Sequence, residues 1–472
     1  MRESYGCGNN ERMGSSINDN PQMEAGRALA AGSRAWSEGR LGQAAADFAR
    51  AALLSPAMPL AHGNLGVALR KLGRVDAAIV CYRRALSLTP DEPALHSNLG
   101  NALRERGELT EAEEHLRRAV AANPTAQFRY NLALLLRDRR RHAEAREILS
   151  ALLAEAPDNP DYAWDKALSD LYLLDFGAGF AGYEARWRLA RAQARELPGP
   201  RWLPDTDITG KRVLILAEQG FGDALQFARF LPMAAARCAE LTVECLPELL
   251  DLFAAIPGIA RVIPKGAPPP PHDLWAPIMS LAWLFRVTPA SIPAQIPYLH
   301  PPGQERRLPR PPGTQLNIGL IWAGKTTPRD RSWPLVELMP LFDDVRAAFW
   351  SLQMGERSAD LRSTGADTLV RDLAPAISSF ADTAWLMGQM DLIITIDTSA
   401  AHLAGALGRP TWMLLRYVSD WRWLDEPETS AWYPTLRLFR QPDPFDFATP
   451  VQRMKAVLAE ELQRAAGWRP GA

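Results

Sequence analysis

From Lys211 onward, apolar residues come in short β-branched blocks, each closed by a glycine or a small polar cluster and followed by a stretch that is apolar at helical spacing. "KRVLILAE", "LTVECL" and "ARVIP" are such blocks, and "QGFGD" leads from the first into the amphipathic "ALQFARFLPMAAARC". Blocks of this length, apolar throughout, predict strands buried on both faces, and their alternation with helices predicts a parallel sheet. A second alternation starts at "LNIGLIWAG", passes through "FWSLQMG" and reaches "LIITIDTSAAHLAGALGRP". There a strand feeds directly into a helix, with Asp397, Thr398, Ser399 and His402 at the junction. Residues 188–210 and 301–313 read as linkers, so that residues 211–300 and 314–472 form two Rossmann-like α/β halves with a cleft between them.

Upstream the spacing changes. Gly32, Gly66 and Gly100 recur at intervals of 34, as do Gly39, Gly73 and Gly107, and Pro56, Pro90 and Pro124. A fourth copy, one residue shorter, places Ala133, Ala145 and Pro157, and a degenerate fifth, "ALSDLYLLDFGAGFAGYEARW", caps the array. Small residues let two helices approach closely, and the proline ends the second helix and sets up the next unit. Residues 25–187 resemble tetratricopeptide repeats in this period, and the resemblance implies an α-helical solenoid that binds a polypeptide. Asn64, Asn98 and Asn131 each precede the Leu-Gly or Leu-Ala of a first helix. On the concave face such an amide donates and accepts at once, which suits the backbone of an extended acceptor chain. The same amide can instead tie one repeat to the next.

A chain of 472 residues holds about two to four domains. Its net charge of −1 argues against a dedicated nucleic-acid binder. Cys7, Cys81, Cys238 and Cys245 have neither metal-ligand spacing nor a pairing that suggests a staple, so they read as reduced thiols of a cytoplasmic protein. No run reaches about 18 uncharged apolar residues, which predicts no transmembrane segment. Residues 1–24 lack an apolar leader core and are expected to form a disordered tail.

Ligands of open α/β sheets bind beyond the carboxyl ends of the strands, so candidate chemistry is sought at the strand exits. Those exits carry Asp223 in the first half; Lys325, Arg329 and Arg331 after the opening strand of the second; Gln353 in "FWSLQMG"; and the junction Asp397, Thr398, Ser399 and His402. The helix that starts at this junction offers free N–H groups and a positive dipole end, worth roughly 0.3–2 kcal/mol per anionic charge. With Lys325 or Arg331 beside it, the junction suits a diphosphate. The alternative is that Asp397 and Thr398 cap the helix and His402 belongs to the core.

"DTSAAHLAGALGRP", the preceding "SFADTAWLMGQMDLIIT" and "GFGD" resemble glycosyltransferase family 9, the heptosyltransferase-like enzymes, over residues 211–462. The resemblance implies a two-domain GT-B fold and an inverting, metal-independent transfer from a nucleotide-diphosphate sugar, with no further cofactor. It implies donor contacts from Asp397, Thr398, Ser399 and His402, and a general base in Asp223. Lys325 departs from the amide expected at its position. The segment "DWRWL…SAWYPTLRLFRQ" resembles bacterial hybrids that fuse tetratricopeptide repeats to this module. In it, Arg422 with Trp421, Trp423 and Trp432 either stacks on the donor base or plugs the C-terminal helix onto the sheet. Such a transfer needs a base for the acceptor proton and groups that hold the departing diphosphate's charge. Two readings follow: a glycosyltransferase acting on a protein or surface glycan recruited by the repeats, or a non-catalytic scaffold with a relic GT-B module.

Overall fold

A computed structural model describes residues 20–190, 195, 197–301, 307–326, 330–425 and 428–467. The chain divides into two compact units, Met1–Leu135 and Leu136–Ala472.

The first unit holds helices α1 (Pro21–Ser37), α2 (Leu41–Leu54), α3 (Pro59–Lys71), α4 (Val75–Leu88), α5 (Pro93–Arg106), α6 (Leu109–Ala122) and most of α7 (Ala126–Asp138). A Cβ on Gly32, Gly66 or Gly100 would stand 2.6 Å from Phe48, Tyr82 or Leu116 respectively. These glycines therefore mark where a large side chain of the second helix crosses the first. The turn inside each pair needs the left-handed region, which Gly39, Gly73 and Gly107 adopt at φ of 74°, 76° and 84°. His62 and His96, also one period apart, bond through Nε2 to the carbonyls of Pro56 and Pro90 at 2.8 Å each, pinning the link between pairs. Helix α1 starts at Pro21, inside the expected tail, and residues 1–19 lie outside the described residues.

The second unit holds α8 (His142–Glu155), α9 (Pro160–Tyr172) and α10 (Phe176–Tyr183) together with, among the described residues, ten strands. The division falls inside α7 rather than at residue 187 because the last repeat helices pack on the α/β layers. Phe176 and Phe180 meet the Trp421 ring edge-on at 6.4 and 5.7 Å. The segment expected to be a linker is likewise built in: Trp202 is buried, and its N–H donates to the Trp275 carbonyl at 2.8 Å.

The first sheet contains β1 (Arg212–Leu216), β2 (Glu240–Cys245), β3 (Arg261–Pro264) and β4 (Leu274–Pro277) in the order β3-β2-β1-β4, all parallel. The second contains β5 (Leu316–Leu320), β6 (Ala347–Ser351), β7 (Val370–Asp372), β8 (Leu392–Ile396), β9 (Thr411–Leu415) and β10 (Leu436–Arg440). Its order is β10-β9-β8-β5-β6-β7, again parallel throughout. Every residue of β8 and β9 is buried, as their unbroken apolar runs predict. The helix Ala448–Gly467 covers one face with Val451, Met454, Leu458 and Leu462, a stripe at helical spacing, packed with Ile318, Leu320 and Trp322. Each sheet reverses its strand order once, between β1 and β4 and between β5 and β8. Such reversals open the crevices in which α/β proteins bind ligands. Among the described residues, no helix is long and apolar enough to cross a membrane.

Candidate functional site at the second reversal

The exits of β5 and β8 touch: a Cβ on Gly324 would stand 2.6 Å from Thr398 Cγ2, so glycine is what lets the two loops meet. Arg331 lies on the β5 loop, and its Nη1 donates to Asp397 Oδ2 at 3.1 Å. Asp397 is buried; burial raises its carboxyl above the usual range and Arg331 opposes the rise. The helix Ser399–Ala406 starts here, and its N-cap residue Thr398 makes no side-chain capping bond. The Thr398 side chain therefore leaves the first-turn N–H groups uncapped, although the Ala401 N–H donates to the Thr398 carbonyl at 3.1 Å.

His402 sits one turn in. Its Nδ1 lies 3.0 Å from the Tyr433 hydroxyl, and its ring stacks on Trp423 at 5.2 Å. Among the described residues its Nε2 has no hydrogen-bond partner. Gly222 of the first half lies against it, where a Cβ would be 2.8 Å from His402 Cδ2 and 3.5 Å from Ser399 Cα. Burial pushes the imidazole pKa well below its ordinary value, and Arg422, Arg229 and Arg331 add to the effect. The folded protein thus holds a neutral ring where the unfolded chain takes up a proton below about pH 6.5. Since the folded pKa is the lower one, stability falls with acidification. Between pH 7.5 and 5.5 the loss from this group is expected to be on the order of 1 kcal/mol. His402→Asn keeps a polar atom near Tyr433 and should remove that increment, as urea titrations at the two pH values will show; equal acid sensitivity in both proteins would mean that His402 is protonated in the fold.

Asp223 and Arg422 come from different halves and bind each other. Arg422 Nη2 donates to Asp223 Oδ1 at 2.8 Å, Nη1 donates to Asp420 Oδ1 at 2.8 Å, and Nε donates to Gln226 Oε1. Burial works against this guanidinium's charge, but Asp420 and Asp223 hold its pKa above the ordinary value. Asp223 Oδ2 accepts from the Gly220 N–H at 3.2 Å, reaching back to the start of its own helix. Both of its oxygens are engaged.

Several sequence expectations are corrected here. Arg422 is fully engaged in side-chain bonds and offers nothing to a donor. Trp421, Trp423 and Trp432 are buried, so they stack on no base; Trp421 and Trp432 form a plug seated on Phe176, Phe180 and Phe227 rather than on the C-terminal helix, while Trp423 packs against His402 and Tyr433. Gln353 is buried, and its Oε1 accepts from the Trp322 and Ala323 N–H groups at 3.0 and 2.8 Å, locking the β5 exit to the β6 exit instead of facing a ligand. Lys325 is exposed, with no hydrogen bond or ion pair among the described residues, and Arg329 lies outside them. In the repeats, Asn131 Nδ2 donates to Ser97 Oγ at 2.9 Å and its Oδ1 accepts from Gln127 at 3.0 Å. It therefore ties neighbouring repeats, whereas Asn64 and Asn98 are half-buried and carry no side-chain bond among the described residues.

The sequence reading missed Gln226, Arg229, Asp420 and Tyr433. Gln226, in the helix Phe221–Phe227, and Arg229, in the short turn Ala228–Phe230 that continues it, are three residues apart and both buried; two polar groups at that spacing among the apolar residues from Ala224 to Ala236 were the available signal. A second buried cluster sits at the first reversal. Arg186, from the short turn Glu184–Arg188, donates to Glu218 Oε1 and Oε2 at 2.7 and 3.0 Å, to Glu184 Oε1 at 2.6 Å and to Ser280 Oγ at 2.9 Å. Glu218 follows β1 and Ser280 follows β4, so the chain's own residues fill that crevice.

A tetratricopeptide repeat family matches residues 97–160, and a TPR repeat family matches residues 68–103. Residues 68–160 are accordingly tetratricopeptide repeats, a module that supports protein interaction. Protein FlbA of Caulobacter vibrioides is 27% identical over 299 residues, covering 56% of this chain and 49% of FlbA. The chain thus spans about half the length of that curated relative. Among solved structures, PilF of Pseudomonas aeruginosa is 20% identical, covering 37% of this chain and 79% of its own at a TM-score of 0.32. TTC0263, a thermophilic TPR protein of Thermus thermophilus, is 25% identical, covering 35% and 91% at 0.30.

Proposed function

We propose that the chain is a GT-B glycosyltransferase that moves a sugar, with inversion, from a nucleotide-diphosphate donor to an acceptor brought by the repeats. The observation that carries this reading is the open helix start at the β5/β8 reversal, with Ser399, the unpartnered His402 Nε2 and Arg331 around it. A departing diphosphate placed there meets N–H groups, a dipole end and a guanidinium, all in position before charge develops. Half-buried Asn64 and Asn98, with free amides, support an extended polypeptide as the acceptor. Asp223 acts as the base only once Arg422 lets go of it. That engagement favours a second reading, in which the α/β layers are a relic and the repeats act as a scaffold.

Binding separates the two. One nucleoside diphosphate of a panel should stabilise the protein by about 2.7 kcal/mol at a hundredfold excess over its Kd. Arg331→Ala should weaken that binding tenfold or more in calorimetric titration, read well below the variant's melting temperature because the change also leaves the buried Asp397 without its partner. A panel without a single stabilising member would leave the scaffold reading.

A further inference from the structure

The turn that links the helices of each pair is occupied by glycine three times, at Gly39, Gly73 and Gly107, each with positive φ. In the fourth pair the same turn holds Arg140, whose φ of 61° puts a long side chain in a backbone region that favours glycine. The fifth holds Leu174 at 62°, with an exposed side chain. Arg140 is used quite differently. Its Nη2 and Nε donate to the Tyr417 carbonyl at 2.9 and 3.2 Å, and Nη2 also reaches the Gln441 carbonyl at 3.5 Å. The guanidinium lies over the Tyr417 ring at 4.1 Å and 3.8 Å from Asp425 Oδ1. Two residues on, His142 bonds through Nε2 to Asp425 Oδ2 at 2.7 Å and stacks flat on Tyr172 at 3.8 Å, while the Tyr172 hydroxyl donates to the Ser419 carbonyl.

These contacts converge on one segment, Tyr417 to Asp425, which follows β9 and carries Asp420, Arg422 and Trp423. We propose that the fourth repeat is a built clamp on this segment, with Arg140 and His142 as positioning residues that hold Arg422 against Asp223. The glycine of the repeat is given up for an arginine because the turn points its side chain at that segment. Arg440 of β10 also donates to the segment, to Ser419 Oγ and, at 3.1 and 2.5 Å, to the Trp423 and Leu424 carbonyls. The clamp secures its two ends.

Arg140→Gly tests this without endangering the fold, because glycine is the residue the turn favours. In the full chain, hydrogen exchange of the amides from Tyr417 to Asp425 should accelerate tenfold or more, while α8 and α9 exchange as before or more slowly. Arg140→Lys, which keeps a charged donor, should restore part of the protection. Unchanged exchange in the segment overturns the proposal; so does equal acceleration in α8 and α9, since Arg140 would then be packing the repeat alone. Titration of the same proteins with nucleoside diphosphates keeps the proposed function separate. A wild type that binds none counts against glycosyl transfer, whereas the clamp stands or falls on the exchange of the segment.

Discussion

Replacing Arg186 by methionine is expected to destabilise the unit Leu136–Ala472 by about 3–5 kcal/mol, the usual result of removing one partner from a buried ion pair. The Arg186 side chain is 5% exposed, and that of Glu218, on which it sets two nitrogens, is 11% exposed. Methionine replaces much of the volume but none of the five bonds, the fifth running to the Tyr183 carbonyl at 3.1 Å. Arg201 stays with Glu184 and Ser280 and makes no bond to Glu218. Burial already raises the Glu218 carboxyl above its ordinary value, and Arg186 is what pulls it back. Without Arg186 the folded pKa rises further. A carboxyl whose folded pKa exceeds its unfolded one contributes stability below the unfolded value and loses it as pH rises through the folded one. The deficit of Arg186→Met should therefore grow from pH 5 to pH 8. Adding Glu218→Gln should recover part of the loss and flatten this dependence. Urea curves at both pH values measure each quantity; a deficit under 1 kcal/mol at pH 8 would mean that water reaches the cluster.

Local order was legible in the sequence because it depends on neighbours in the chain. The period of 34 reports where Phe48, Tyr82 and Leu116 cross a first helix, and the unbroken run in β8 reports burial on both faces. The exits of β5 and β8 were found by the rule that strands present their carboxyl ends to ligands, and Asp397, Ser399, His402 and Arg331 do meet there. Whether a polar group at an exit stays open is decided by what crosses it from elsewhere. Gln353 reads as a ligand contact until Trp322 and Ala323 present their N–H groups to it. Asn131 reads like Asn64 and Asn98 until Ser97 takes its amide. Arg422 and Asp223 lie 199 residues apart, and no pattern along the chain joins them. The fourth turn hides its function in the same way: Arg140 stands where the period calls for glycine, and only the segment after β9 explains it.

The tightest contact behind the candidate site makes the last prediction. Gly405 belongs to the helix Ser399–Ala406, three residues beyond His402, and a Cβ there would lie 2.3 Å from Tyr433 Cδ1, 2.5 Å from Cγ and 2.8 Å from Cε1. On an open helix face, Gly→Ala stabilises by up to about 1 kcal/mol. Here the new methyl overlaps a ring that has nowhere to go. Tyr433 is fully buried, its hydroxyl is bonded to His402, and its ring lies 4.8 Å from the Arg229 guanidinium and 6.2 Å from Trp423. Overpacking of this kind costs about 1–3 kcal/mol, occasionally more, so Gly405→Ala is expected to be a net destabiliser. The cause can be isolated in the Tyr433→Leu background, where the same alanine has room. A double-mutant cycle should then give a favourable coupling of about 1 kcal/mol or more. Additive losses would place the strain elsewhere, and the glycine would be answering to the helix backbone rather than to Tyr433.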